Sequence, residues 1–545
     1  MPTMSDCGEA AFPTLSEDEL AQIAPLGEHC EFDDGAVIFK AGDRDIDLWI
    51  VEAGELQIIN PTDGDREVVV HLPGEFAGDI DLLTRRPVVV TARCRGRTQL
   101  MRVPGARVRE VLLRLPQISE KLMRAFQERR RLLRQMGNVG LTLYGPADCR
   151  ETNLIREFLD KNFVPFVWRH DDYPTAKDGS PLAGPIVDCG NDVVLSAPTL
   201  QKVAHCAGVW QECPVDDVEL AIVGAGPAGM SAAVYAASEG ISTLVLDRLG
   251  PGGQAAASSK IENFIGFPSG LSGTELATRA VIQFLKFGAN IVTPVHVQRF
   301  ERASAPGEPH MLHLDCGATV RAMNVLIASG LAWRQLSAIG NERLDHAGVY
   351  YACTTTETVS HQGEDVAVVG GGNSAGQAAM FLAEQCANRV HLLVRGGDLG
   401  ASMSSYLVDR IHGTGNIDVH LGTEVTKIDE DGRLRGIEIT SRDGQIRSLQ
   451  IGALFVFIGA SPQIDWLPND IARDSNGYIL TGGDAAKCGS WPLADRAPCT
   501  LETTIPRLFA AGDVRSSSTK RVGFAVGDGA LAVACVHSLR QLAGA

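Results

Sequence analysis

The sequence predicts a multidomain protein: a β jelly roll or barrel with C-terminal helices, a small α/β unit, and two doubly wound α/β units. Three observations carry that prediction. Up to about Gln135, short β-like runs alternate with Gly, Asp and Pro turns before a long helical stretch. From Gly140 onward, strand-like and helix-like segments alternate. Twice, at Gly224 and at Gly370, an apolar strand runs into a glycine-rich loop that opens a helix.

Taken in order, the first unit holds the runs Ala36–Phe39, Leu48–Val51, Glu55–Ile59, Val68–Leu72 and Val88–Cys94, spaced as in an antiparallel barrel. The second reads strand Leu141–Tyr144, helix Arg150–Lys161, strand Pro165–Arg169, two further short strands, and helix Thr199–Ala207. After a linker, Gln211–Asp217, the alternation continues to the end, the pattern of a parallel doubly wound sheet. Glycine is abundant, 58 residues without a collagen-like period, which points to turns and ligand loops rather than disorder.

Composition excludes several function classes. A net charge of −17 argues against nucleic acid, which needs a clustered basic surface. The one basic cluster, Arg129 to Arg134, is expected to be a solvated helix face. No apolar run is expected to reach the ~20 residues of a membrane span, and Met1 to Glu19 lacks the apolar core of a signal peptide. The 13 cysteines contain no Cys-x-x-Cys pair, so neither the usual zinc spacing nor a CxxC dithiol is present, and no metal site is expected. Reduced thiols in a cytoplasmic protein are the resulting expectation.

The glycine loops carry the chemistry. In Glu219-Leu-Ala-Ile-Val-Gly224-Ala-Gly226-Pro-Ala-Gly229, Gly224 permits a tight turn, Gly226 lets a pyrophosphate approach the backbone, and Gly229 lets helix and strand pack closely. The helix N-terminus then faces the phosphates. The next strand, Thr243–Leu246, ends in Asp247, placed to accept from a ribose hydroxyl. The second copy, Asp365-Val-Ala-Val-Val-Gly370-Gly-Gly372-Asn373-Ser374-Ala375, is followed by a strand Val390–Val394 ending in Arg395. An arginine there suits a ribose 2′-phosphate, so NADPH is expected ahead of NADH. Two dinucleotide sites in one chain imply one bound FAD and one exchangeable nicotinamide.

Further motifs make the chain resemble the low-molecular-weight thioredoxin reductases among the pyridine nucleotide–disulfide oxidoreductases. Gly252-Gly253-Gln254, Ile261-Glu262-Asn263-Phe264, Gly348-Val349-Tyr350-Tyr351, Phe509-Ala-Ala-Gly512-Asp513 and Gly527-Asp528-Gly529 occur in that family's order, from about Val218 to the C-terminus. The resemblance implies FAD contacts at Gly253, Gln254, Asn263, Gly512 and Asp513, a homodimer, and a nicotinamide domain (341–451) inserted between two halves of the FAD domain (217–340 and 452–545). Two departures stand out. Where the family places its CxxC dithiol, this chain has Ala352 and Thr355 with a lone Cys353 between them, and alanine cannot attack a disulfide. The family's phosphate motif keeps only Arg395, with Gly396 and Gly400 in the other places.

The unit at 139–210 resembles a glutaredoxin: Leu143-Tyr144-Gly-Pro-Ala-Asp-Cys149-Arg-Glu-Thr152 matches strand, loop and redox site, with Cys149 in the nucleophile position of a CxxT. A helix start favours a thiolate. Pro185 is expected as the cis-proline beside such a site. The unit at 1–136 resembles a cyclic-nucleotide-binding domain through Phe39-Lys-Ala-Gly42-Asp43, Gly54-Glu55 and Gly74-Glu-Phe76-Ala-Gly78-Asp79. Val88 stands where the phosphate-binding arginine belongs, so cyclic nucleotide binding is not expected. The resulting expectation is a flavoenzyme passing hydride from NAD(P)H to FAD and on to a protein disulfide, a quinone or oxygen. Cys149 and Cys353 are the candidate catalytic thiols. The alternative is a non-catalytic, flavin-bearing sensor.

Overall fold

A computed structural model describes residues 10–136, 139–146, 149–170, 173–174, 184–190, 193–213, 217–258, 260–305, 307–338, 348–351, 353, 361–430 and 434–544. The N-terminal unit is a six-stranded antiparallel sheet whose long members are Leu48–Asn60 and Thr91–Val103. The two expected runs Leu48–Val51 and Glu55–Ile59 are one strand, because register shifts around Ala53 absorb the polar Glu52-Ala-Gly54 step. Gly54 lies at φ +84°, and a Cβ there would stand 2.7 Å from the Arg97 carbonyl. The long helical stretch divides at Pro116 into Gly105–Arg114 and Pro116–Met136.

The basic cluster is a solvated face only in part, at the exposed Arg131. Arg129 and Arg130 are buried, each 5% exposed. Arg129 donates from Nε to the Ala11 carbonyl at 2.8 Å and from Nη1 to the Gly78 carbonyl at 2.7 Å. Arg130 pairs with Asp79 at 2.9 Å and Asp81 at 2.5 Å. Buried charges are tolerated only with such partners.

The middle unit is a four-stranded sheet in the order Val194–Ser196, Ile186–Asp188, Leu141–Tyr144, Phe166–Arg169, with the last two parallel. Its helices Arg150–Lys161 and Leu200–Cys206 bury Phe158, Leu159 and Val203 against it. The expected cis bond at Pro185 is absent: Thr293–Pro294 is the cis peptide among the described residues. Cysteine pairing also departs from expectation. Cys189 is joined to Cys206 and Cys499 to Cys535, across 17 and 36 residues, spacings that no short motif would reveal.

The Gly224 unit is a seven-stranded sheet. Asn290–Val292, Thr243–Leu246, Val218–Val223, Thr319–Ile327 and Leu508–Ala510 are parallel, whereas Val297–Glu301 and His310–Leu314 add antiparallel edge strands. It is therefore mixed rather than purely doubly wound. The Gly370 unit has five parallel strands, Val349–Tyr350, Ala453–Val456, Asp365–Val369, Arg389–Val394 and Ile417–Leu421. Ala453–Val456 lies beyond the expected boundary at 451. A separate antiparallel sheet, Thr423–Glu430, Leu434–Ser441 and Ile446–Gln450, follows the fifth strand. The two segments that join the units pair antiparallel, Ala332–Trp333 with Ala460–Ser461.

One helix contradicts the expectation that no stretch reaches membrane-spanning length. Within Val522–Gly544, the 20 residues Val522–Gln541 are long and apolar enough by composition. Its contacts belong to the sheet unit: Ser231 Oγ donates to the Val526 carbonyl at 2.8 Å, and a Cβ on Gly529 would fall 2.2 Å from the Ala228 carbonyl. The first, middle and Gly224 units also touch. Asn162 of the middle unit is fully enclosed, its carbonyl accepting from Arg86 of the first unit and its Nδ2 donating to the Leu249 carbonyl of the Gly224 unit at 2.8 Å. Lys161 donates to the Gly253 carbonyl at 2.9 Å.

Candidate functional site

Each glycine of the first loop has a distinct surrounding. At Gly224, φ is +109° and a Cβ would meet the Ala328 carbonyl at 2.4 Å; at Gly229 it would meet the Gly224 carbonyl at 1.9 Å. Gly226 instead has nothing within 4 Å of a Cβ among the described residues and caps the helix Pro227–Ser238. Two glycines are thus demanded by the protein's own backbone, and the third keeps a space open at a helix N-terminus. That is the shape a pyrophosphate needs. Gly253, at φ +54°, closes the far side, where a Cβ on it would stand 3.0 Å from the Gly226 Cα, and Gln254 fixes the loop by donating to the Leu331 carbonyl at 2.7 Å.

Asp247 does more than end its strand. Its carboxylate accepts from the Ala225 N–H at 2.7 Å, the Leu249 N–H at 2.9 Å and the Gly250 N–H at 2.8 Å. It ties the glycine loop to the following loop, and the remaining lone pairs can still accept from a ribose hydroxyl. Asn263 lies exposed on a bend before Gly266. Gly512, at φ +75°, donates to Asp528 at 3.0 Å, and Asp528 also holds Arg515 in a two-point pair at 3.0 Å. Burial raises the Asp513 carboxyl above its ordinary range, with the nearby Lys520 opposing and Asp528 reinforcing the shift. Sequence reasoning does not single out Asp528, Arg515 or Lys520, although Asp528 lies within the Gly527-Asp528-Gly529 motif.

The second loop repeats the geometry. Gly370 sits at φ +143° with the Phe457 carbonyl 2.5 Å from a Cβ, while Gly372 has open space and caps the helix Asn373–Gln385. Asn373 accepts from the Ser404 N–H at 2.8 Å, and Ser374 is exposed in the first turn. Arg395 is exposed, and its carbonyl accepts from Arg442 Nη2 at 3.2 Å. Arg442 is a second cation at this strand end that the sequence did not suggest, since it arrives from the hairpin Leu434–Gln450, 47 residues away.

The candidate thiols fall in different units. Cys149 caps the helix Arg150–Lys161, and its Sγ–H donates to Glu151 at 3.3 Å. The helix terminus would attract an anionic sulfur and the carboxylate would repel it. Thr152 is fully buried beneath Gly145, where a Cβ would lie 2.2 Å from its Oγ1, so it serves packing. Cys353 packs against the core of the Gly370 unit. Ala352 and Thr355 lie outside the described residues.

Two open helix-capping glycine loops, each at the mouth of parallel strands, define a protein built to hold two dinucleotides. The model of the pyridine nucleotide-disulphide oxidoreductases matches residues 218–529, and the chain belongs to that family, whose cofactors are FAD and NAD(P)H. The model of the cyclic nucleotide-binding domain matches residues 29–114. Alkyl hydroperoxide reductase F of Escherichia coli (strain K12) is 31% identical over 320 residues, 58% of this chain and 57% of that protein. An NADH dehydrogenase of Ferdinandcohnia aciditolerans is 30% identical over 319 residues, 58% of this chain and 56% of that protein. The chain thus spans a little over half the length of these curated relatives. Among solved structures, Lactococcus lactis thioredoxin reductase is 25% identical with a TM-score of 0.49, covering 59% of this chain and 98% of its own.

Proposed function

We propose that this chain is an FAD-dependent NAD(P)H oxidoreductase of the thioredoxin reductase type. FAD would be held by Gly224, Gly226, Gly229, Asp247, Gly253, Gln254, Asn263, Gly512 and Asp513. The nicotinamide dinucleotide would be held by Gly370, Gly372, Asn373, Ser374 and Arg395. The observation that carries the reading is the contrast within each loop, a glycine closed by backbone beside a glycine left open at a helix start. When bound, the two cofactors would supply hydride transfer from the nicotinamide to the flavin and onward reduction of the acceptor. The chain's own residues fix the phosphates, through loop N–H groups, and the ribose, through Asp247.

The acceptor is proposed to be a disulfide, reached without a dithiol on the nicotinamide unit. The names of the relatives include an alkyl hydroperoxide reductase and an NADH dehydrogenase, which supports a reductase with NADH as an alternative donor. The middle unit, with its mixed four-stranded sheet and Cys149 at a helix cap, supports a glutaredoxin-like domain; the N-terminal sheet supports a jelly roll. A homodimer is part of the same reading.

The test is anaerobic reduction of the FAD-loaded protein by NADPH and by NADH. The flavin's visible absorption should bleach with both, NADPH being the better donor. Arg395→Ala and Arg442→Ala should each erode that preference by about tenfold or more, as losing one charge-assisted contact would. Protein that cannot take up FAD, or whose flavin neither donor bleaches, would refute the proposal.

A further inference from the structure

We propose that the interior cavity of the N-terminal unit binds a small, mainly apolar monocarboxylate, held by Arg129. This goes beyond the dinucleotide chemistry and does not depend on it. The cavity, about 60 Å³, lies between the sheet and the helix Pro116–Met136, and its walls include Phe39, Ile58, Val68, Val88 and Leu133. Arg129 is part of the same lining. Its Nε and Nη1 are bonded to the Ala11 and Gly78 carbonyls, and its guanidinium lies 4.4 Å from the centre of the Phe76 ring. Its Nη2 is buried and has no hydrogen-bond partner among the described residues. A buried donor of a charged group left unpaired is costly, so an acceptor brought by a ligand would be strongly favoured.

The other ionisable groups of the lining, His71, Asp79 and Asp81, are already paired. Arg130 takes both Asp79 and Asp81. His71 bonds to Glu75 at 3.3 Å, and burial, opposed by Glu75 and assisted by Arg129, pushes it down to about 4, so it is neutral at neutral pH. Arg86, half-buried, donates to the Asn162 carbonyl. Arg130 and Arg86 each keep a buried Nε without a partner among the described residues but lie outside the lining, so Arg129 is the lining cation with an open donor.

Size and donor count choose the ligand class. The cavity is far below the roughly 300–1,000 Å³ that hold drug-sized ligands. One free guanidinium nitrogen suits one carboxylate oxygen, whereas a cyclic phosphate would need the cation that Val88 replaces. Apart from His71 and the Arg130-paired Asp79 and Asp81, the remaining wall is mostly hydrocarbon, so the body of the ligand should be apolar.

Calorimetric titration of the full chain with propionate, propionamide and cyclic AMP tests this. Propionate should bind saturably, and the uncharged propionamide about tenfold or more weaker, which reads the Arg129 contact without any mutation. Arg129→Met should abolish the preference for propionate. Val68→Phe, which fills the cavity and leaves Arg129 intact, should weaken both ligands. Absence of saturable propionate binding, equal binding of propionamide, or propionate binding untouched by Val68→Phe would overturn the proposal. Cyclic AMP binding tighter than propionate would also overturn it.

Discussion

Gly226 and Gly229 stand three residues apart on one loop and differ in what they permit. Gly229→Ala drives a methyl into the Gly224 carbonyl, which cannot retreat without moving the strand it ends. The variant should lose both FAD and several degrees of thermal stability. Gly226→Ala places its methyl in open space on ordinary backbone, so the apoprotein should melt as the parent does while FAD affinity falls at least tenfold. Equal melting loss in both variants would refute the division of roles. His310 gives a pH prediction. The Ala303 N–H donates to its Nδ1 at 3.1 Å, so Nε2 carries the proton towards the Pro506 carbonyl at 3.2 Å. Burial, with Arg507 adding, pushes this imidazole down to about 4. The unfolded chain then binds the extra proton, and the contribution is full above about pH 6.5 and lost as pH falls towards 4. Denaturant midpoints should drop between about pH 7 and pH 5 more steeply in the parent than in His310→Gln. The glycine requirements were legible in the sequence because they are local. Arg442 was not, since its place beside Arg395 depends on a distant hairpin, and neither was the inward turn of Arg129 and Arg130, which depends on Asp79, Asp81 and Gly78.

Elements whose signals are continuous in sequence emerged at their expected bounds. Leu141–Tyr144, Arg150–Lys161 and Thr243–Leu246 are examples, each an apolar strand or amphipathic helix with clear punctuation. Those that failed depend on pairing. The polar step at Glu52–Gly54 reads as a turn until Thr91–Val103 lies alongside and turns it into a bulge. The edge strands Val297–Glu301 and His310–Leu314 break the helix–strand alternation, with no long-range signal to announce them. Composition misleads in the helix Val522–Gly544 too, where small apolar residues serve close packing on Pro227–Ser238. Gly529→Val should block that approach, so the protein should lose FAD and release the Asp528 grip on Gly512. A Gly529→Val protein that keeps full flavin content by absorbance would show that the two helices need not be in contact.

At the scale of the molecule, the middle unit is a wedge held on both sides by Asn162. Asn162→Ala removes donors to the Phe158 and Leu249 carbonyls from a position 1% exposed. The cost should be about 1–3 kcal/mol, seen as a lowered denaturation midpoint, with faster FAD release because Leu249 begins the Gly250–Gly253 loop. An unchanged FAD off-rate would mean that the wedge is structurally separate from the cofactor. The paired connectors carry a consequence for how such a chain can be taken apart. Trp333 and Ala460 are direct cross-strand partners, so the chain leaves for the Gly370 unit and returns from it at neighbouring points. Opposed residues of an antiparallel pair are separated by only ~4.5–5.5 Å, a gap that a two-residue Asn-Gly turn closes. Replacing 334–459 by that turn should give a yellow protein that no nicotinamide can bleach, a module removed at a seam already present in the chain.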